Sequence, residues 1–231
     1  STAIGGGAIS LGSISQTTVG SILGTTFKNN KSGTYGGAIG TRFAQGNSNA
    51  AKLDIEATFV GNEALKDGGA IYNTFYGDNG LDKGNGVTIA GVFENNKAGR
   101  YGGAIYNDGR HDINGKGGVM TINTSVFEDN QANLANGYGG AVFNYHGDMT
   151  IQGTADKRIV FEDNIAYVGG AFSDMQVTKN YPGLVSKTTI KHALFEENHT
   201  TADAGAAGFF GDVDVEDVIF RENTAAIDFD G

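Results

Sequence analysis

Hydrophobic positions along the chain fall into short alternating runs, each leading to a phenylalanine, and the run returns along the whole sequence. Leu53 and Ile55, Val87 and Ile89, Met120 and Ile122, and Val213 and Val215 alternate with polar neighbours, the period of a half-buried strand. The phenylalanines are Phe27, Phe59, Phe93, Phe127, Phe161, Phe195 and Phe220, spaced by 32, 34, 34, 34, 34 and 25 residues. Asparagine stands three positions after every one of them: Asn30, Asn62, Asn96, Asn130, Asn164, Asn198 and Asn223. A Gly-Gly-Ala step with an apolar residue behind it follows, as in Gly36-Gly37-Ala38-Ile39, Gly102-Gly103-Ala104-Ile105 and Gly169-Gly170-Ala171-Phe172. The chain opens on such a step at Gly6-Gly7-Ala8-Ile9, and near residue 205 the step decays to AGAAG.

Self-similarity at this period predicts a stacked array. The step from the last apolar residue of a run to its Phe is four residues after Ile55 and Ile89 but five after Ile22, Ile122, Ile190 and Val215. An odd step along a straight strand would turn Phe to the other face. A corner is therefore expected between run and Phe, giving three short strands per unit. The predicted fold is all-β: a right-handed parallel β-helix of about seven coils, roughly 35 Å long at about 4.8 Å per coil. Phe and Ile columns would fill its core. The asparagines would pair their amides from coil to coil, and the glycine pairs would form tight corners.

Continuous repeats argue for a single domain over residues 1–231. Glycine (38 residues) is not every third residue, which excludes collagen, and 39% hydrophobic residues at regular spacing argue against disorder. No long apolar run could span a membrane. With no cysteine, a disulfide framework and a thiolate metal site are excluded. A net charge of −10 argues against nucleic acid and anionic lipid as partners. The start in mid-coil and the weak last two coils suggest a piece of a longer array, although the last coil could itself be a cap.

The position after Phe is acidic in four successive coils, at Glu94, Glu128, Glu162 and Glu196; Asp129, Asp163, Glu197 and Glu222 follow them. Stacked, they would form an acidic stripe. It is either a solvated edge that discourages aggregation or a face for a cation or a basic partner. After the glycine step come Tyr72, Tyr106 and Phe143, each followed by Asn, and Tyr35, Tyr101, Tyr138 and Tyr167 precede the glycines. Such rings either stabilise the solenoid or, facing outward, form a platform for a sugar or a protein side chain. Polar loops at 74–86 and 107–118 contribute Asp78, Asp82, Asp108, His111 and Asp112, faint candidates for calcium without the spacing of a known site. Asp212, Asp214, Glu216 and Asp217 make a further acidic cluster. The four histidines share no metal spacing, and no catalytic motif is present. No cofactor is expected, calcium apart.

The alternation of Phe-x-x-Asn with Gly-Gly-Ala-(Ile/Leu/Val) over residues 5 to about 225 resembles the chlamydial polymorphic outer membrane proteins. More broadly it looks like the β-helical passengers of bacterial autotransporters. The resemblance implies secretion to the bacterial cell surface, a membrane-anchoring barrel elsewhere in the precursor, and adhesion. The expected function is a non-catalytic module that contacts a host surface protein or glycan, or a second copy. The alternatives are a polysaccharide lyase or glycosidase, and a passive spacer stalk. Sparse basic residues, 16 in all, disfavour a lyase, which must hold an acidic sugar.

Overall fold

The computed structural model describes residues 5–14, 19–43, 52–75, 86–109, 119–176 and 187–226. The chain winds as a parallel β-solenoid with no helix among these residues. One face, following the glycine steps, is a seven-stranded sheet of Ile9–Ile14, Ile39–Phe43, Ile71–Phe75, Ile105–Asp108, Val142–Tyr145, Phe172–Met175 and Ala207–Phe210. A second, carrying the phenylalanines, is a nine-stranded sheet that includes Val19–Lys28, Lys52–Val60, Gly86–Glu94, Lys187–Glu196 and Asp212–Arg221. Two of its layers are split, into Val119–Asn123 with Val126–Glu128 and Asp148–Gln152 with Ile159–Glu162. The third face is narrow: Lys31–Ser32, Glu63–Ala64 and Lys97–Ala98 pair, as do Ile165–Ala166 and His199–Thr200.

Five turns therefore carry a strand on every face, fewer than the expected seven or so. At Gln131 and Thr224 the third face is held by single bridging pairs instead. In the Gln131 turn the reason is local: the longer segment ahead of Gly139 makes a turn closed by the Gly137 N–H on the Asn133 carbonyl at 2.8 Å.

The expected corner between each apolar run and its Phe is absent. In Lys52–Val60 the residues Leu53, Ile55, Ala57 and Phe59 all point inward along one strand. Where the step is odd, the strand after Ile122 breaks between Asn123 and Val126, and after Ile22, Ile190 and Val215 an extra residue in left-handed conformation takes up the difference. Gly24 (φ 61°) does so against Leu23 and Thr25, and His192 (φ 51°) and Asp217 (φ 50°) do so side by side in the last two layers. A bulge thus restores Phe to the core, and the true corner lies after it.

Six phenylalanines, Phe27 to Phe195, are buried in one column. With Phe220, 49% exposed at the end of the stack, their successive ring centroids lie 4.6–5.0 Å apart with planes within 19°. That is the rung spacing of a sheet, so ring stacking follows directly from strand stacking. Ile39, Ile71, Ile105, Val142 and Phe172 close the core from the opposite face.

At the corner, asparagines form a continuous amide ladder. The Asn130 Nδ2 donates to Asn164 Oδ1 at 3.0 Å and to the Phe93 carbonyl at 2.8 Å. Its Oδ1 accepts from the Asn96 backbone N–H and from Asn96 Nδ2, both at 3.0 Å. The same arrangement recurs at Asn62, Asn96, Asn164 and Asn198, so amides with no water contact lose no hydrogen bonds. At the other corner the two glycines of each step do different jobs. Gly102 has φ 62°, and a Cβ on Gly103 would sit 1.9 Å from the Gly140 carbonyl oxygen of the next turn. The decayed AGAAG keeps both features, with Ala204 at φ 61° and Gly205 against Thr224.

Candidate functional site

Three outward features bear on function: the acidic column, the aromatic patch and the acidic cluster of the last strand. The acidic column starts at the corner. Glu94, Glu128, Glu162 and Glu196 pair in register on successive strands, and the column ends on Arg221, which forms an ion pair with Glu196. The next residue in each layer lies in left-handed backbone: Asn29, Gly61, Asn95, Asp129, Asp163, Glu197 and Glu222, with φ between 52° and 64°. Asn, Asp and Gly tolerate this conformation best, so the backbone explains most of the residue choice there.

Carboxylates at this spacing hold protons more tightly than isolated ones. The Glu162 carboxyl is pushed above its usual range, first by partial burial and then by Glu128, Glu196, Asp163 and Asp129. Burial, then Asp163 and Glu94, raises Asp129; Asp163, then burial and Glu222, raises Glu197. One carboxylate oxygen from each of Glu162, Asp163 and Glu197 lies within 4.8 Å of the others. Among the described residues these are the three that could hold a hard cation.

The aromatic patch lies outside the seven-stranded face. Tyr72, Tyr106 and Phe143 alternate with the inward Ile71, Ile105 and Val142, in register with one another. They are nonetheless buried (9%, 5% and 2% exposed), because Tyr35, Tyr101 and Tyr138 pack over them. Ring centroids are 4.5 Å apart for Tyr35–Tyr72 and 5.2 Å for Tyr101–Phe143. A molecule arriving here meets the covering tyrosines rather than the three rings below. Tyr167 lies outside this column, since Tyr138 bridges to Val168, the residue directly before the glycines. In the second turn the column holds Asp67 instead. It is buried and bound by Arg100 through two bonds, Nε to Oδ1 at 3.0 Å and Nη2 to Oδ2 at 2.5 Å. Burial outweighs this pairing and leaves the Asp67 carboxyl above its usual range. Arg100 also lies over the Tyr101 ring and Lys66 over Tyr35.

Beneath the patch runs a second polar ladder. Thr41, Asn73, Asn107 and Asn144 link by side-chain bonds of 2.5, 2.8 and 2.9 Å. In register beyond Asn144 is Asp174, which accepts from Thr188 Oγ1 at 3.0 Å and from the Phe210 N–H at 2.9 Å. Burial raises the Asp174 carboxyl, and those donors only partly offset it. The recurrence of Asn one place after Tyr72, Tyr106 and Phe143 is the sequence signal for this ladder.

Among the calcium candidates, Asp108 is buried at the end of its strand, between Thr74 and Tyr145 in register. Asp78, Asp82, His111 and Asp112 lie outside the described residues. The acidic cluster of the last strand is engaged along the fold: Asp214 pairs with Lys187, Glu216 with Lys191 at 2.5 Å, and Asp217 with Arg158 and His192, both at 2.7 Å.

Residues 24–42, 56–74 and 91–108 each match the family model of the Chlamydia polymorphic membrane protein repeat. No curated protein and no solved structure matches the chain. Each matched stretch begins ahead of a Phe on the nine-stranded face and ends in the strand behind the following glycine step. The chain thus carries the Chlamydia polymorphic membrane protein repeat at three positions, each matched stretch passing over all three faces of one turn of its β-solenoid.

Proposed function

We propose that this chain is a non-catalytic contact module of a bacterial surface protein. It is a passenger-type segment, displayed outside the cell by an anchor that lies elsewhere in the parent protein, and it works in adhesion or self-association. The observation that carries this reading is how the side chains divide. Phe, Asn and the glycine pairs that define the repeat are consumed inside the solenoid. What faces outward is arranged as long columns, the carboxylates Glu94 to Glu196 and the tyrosines Tyr35, Tyr101 and Tyr138. Extended columns suit broad contact with a host surface protein, a glycan or another copy, whereas turnover requires groups converging on one reacting atom.

The test is binding of the purified chain to arrays of glycans and host surface proteins, with calcium and with EDTA. Saturable binding to one class supports the proposal, and loss in EDTA would bring Glu162, Asp163 and Glu197 into the contact. Absence of binding, together with depolymerisation of a polysaccharide, would replace it with an enzyme. Neither binding nor turnover would leave a spacer stalk.

A further inference from the structure

The outer surface of the nine-stranded face changes character at its third layer, in two columns at once. The column one residue before Phe reads Thr26 and Thr58 in the first two layers, then Val92, Val126, Val160, Leu194 and Ile219, all in register. The column one residue after Phe reads Lys28 and Val60, then Glu94, Glu128, Glu162 and Glu196. From the third to the sixth layer, every turn therefore presents an aliphatic side chain and a carboxylate two residues apart on the same outward surface.

The aliphatic column is not needed by the core, which the Phe column fills from the other side of the same strands. Strand propensity does not demand it either. Thr26 and Thr58 occupy the same column and are β-branched and polar, so threonine would serve in every layer. The column is also open to contact: Val92 is 37% and Ile219 44% exposed, and Val126, Val160 and Leu194 between them are half-buried by their neighbours above and below. An exposed aliphatic row beside a row of like charges is unfavourable on a surface left alone.

We propose that layers three to six of this face dock an amphipathic helix of a partner protein whose apolar seam is flanked by Lys or Arg. This rests on the contact-module reading above and names the partner's chemistry. The geometry selects a helix. Rungs repeat every ~4.8 Å along the column, close to the ~5.4 Å between successive turns of an α-helix and far from the ~6.7 Å between same-side residues of a strand. The four aliphatic rungs from Val92 to Leu194 span about 14 Å, which matches about 10 helical residues. The carboxylate row lies about 6.7 Å to one side, where the cationic flank of such a helix falls. With Glu196 already paired to Arg221, Glu94, Glu128 and Glu162 still form a like-charged row that favours a cationic partner over a second copy, which would bring the same acidic row against itself.

The probe is a synthetic helical peptide of about 14 residues with Leu along one seam and Lys beside it; its control carries Glu in place of Lys. Binding to the whole chain is read by fluorescence anisotropy at about 50 mM and about 500 mM salt. The expected result is saturable binding of the Lys peptide, weakened at high salt, and none of the Glu peptide. The double variant Val126→Thr with Val160→Thr copies the first two layers and keeps the fold; its thermal melt checks this. It weakens binding about ten-fold or more, as does Glu128→Gln with Glu162→Gln. No binding by the unaltered chain overturns the proposal, and so does equal binding by either double variant. Sedimentation showing a wild-type dimer that the Thr variant dissolves overturns it in favour of a second copy. If the chain binds its surface target unchanged in the Thr variant, the contact-module reading stands and only the helix site falls.

Discussion

Replacing Asn130 by alanine should be among the most costly single-side-chain changes in this chain. The carboxamide makes four hydrogen bonds at 2.8–3.0 Å: two accepted from Asn96 and two donated, to Phe93 and Asn164. At about 1 kcal/mol net each, their loss amounts to about 4 kcal/mol. The Asn96 N–H would be left buried without its acceptor, which keeps the figure from falling lower. Against a total of about 5–15 kcal/mol this is a large fraction. Urea unfolding followed by circular dichroism measures it, with an unchanged slope confirming that the folded state is otherwise intact. Asn30→Ala is the internal reference. Asn30 is half-buried at the first rung, and its side chain donates one bond, to Asn62 Oδ1 at 2.9 Å, so about 1 kcal/mol is expected. Equal costs for the two, or a cost below about 1 kcal/mol for Asn130→Ala, would refute the buried-ladder reasoning.

Three further expectations follow from the same stack. Phe127→Ala should cost about 3–5 kcal/mol, and Phe220→Ala much less, because Phe220 is 49% exposed; matching losses in urea midpoints would contradict the column. Glu197→Asn relieves a left-handed Glu at φ 52° and a repulsion from Asp163, so it should raise the urea midpoint; a lowered midpoint would show that the corner does not favour Asn. Glu162, Asp129, Glu197 and Asp174 have folded carboxyl values above their unfolded ones. Their penalty is present above the raised values and is relieved as pH falls through them. Glu63, Glu216 and Asp217, lowered by Lys31, Lys191 and Arg158, behave oppositely: their stabilisation is present above the unfolded values and is lost as pH falls through the lower, folded ones. Melting temperature should therefore rise on acidification from neutral pH toward the ordinary carboxylate range and fall below it. A steady fall from neutrality would contradict the acidic column.

How far the molecule could be read from its residues depended on whether a residue type had one cause. Phe93, Asn96 and Gly103 each sit where stacking imposes a single demand, and each was legible from its recurrence. Spacing alone points to a corner ahead of Phe, where the structure has none in Lys52–Val60. Strand parity holds only without bulges, and Gly24, His192 and Asp217 supply them. Asp129 and Asp163 read as part of a charge stripe, yet their backbone conformation alone favours such residues. The rings of Tyr72, Tyr106 and Phe143 were legible as a column, but their cover was not, because it comes from Tyr35, Tyr101 and Tyr138 on a different segment of each turn. The composite of Val126 with Glu128 is not legible in the sequence, because alternation marks the inward residues and leaves outward ones looking like ordinary strand filler.

The most direct test of the central claim, that the repeat's asparagines stack inside a parallel solenoid, is hydrogen exchange on the chain labelled with nitrogen-15 at asparagine. The side-chain amides of Asn62, Asn96, Asn130, Asn164 and Asn198 should resist exchange and show contacts from each amide to the next. Those of Asn29 and Asn95, exposed at the same corners, should exchange at once. Fast exchange at all seven would mean that the ladder does not exist and that the turns are not stacked in this register.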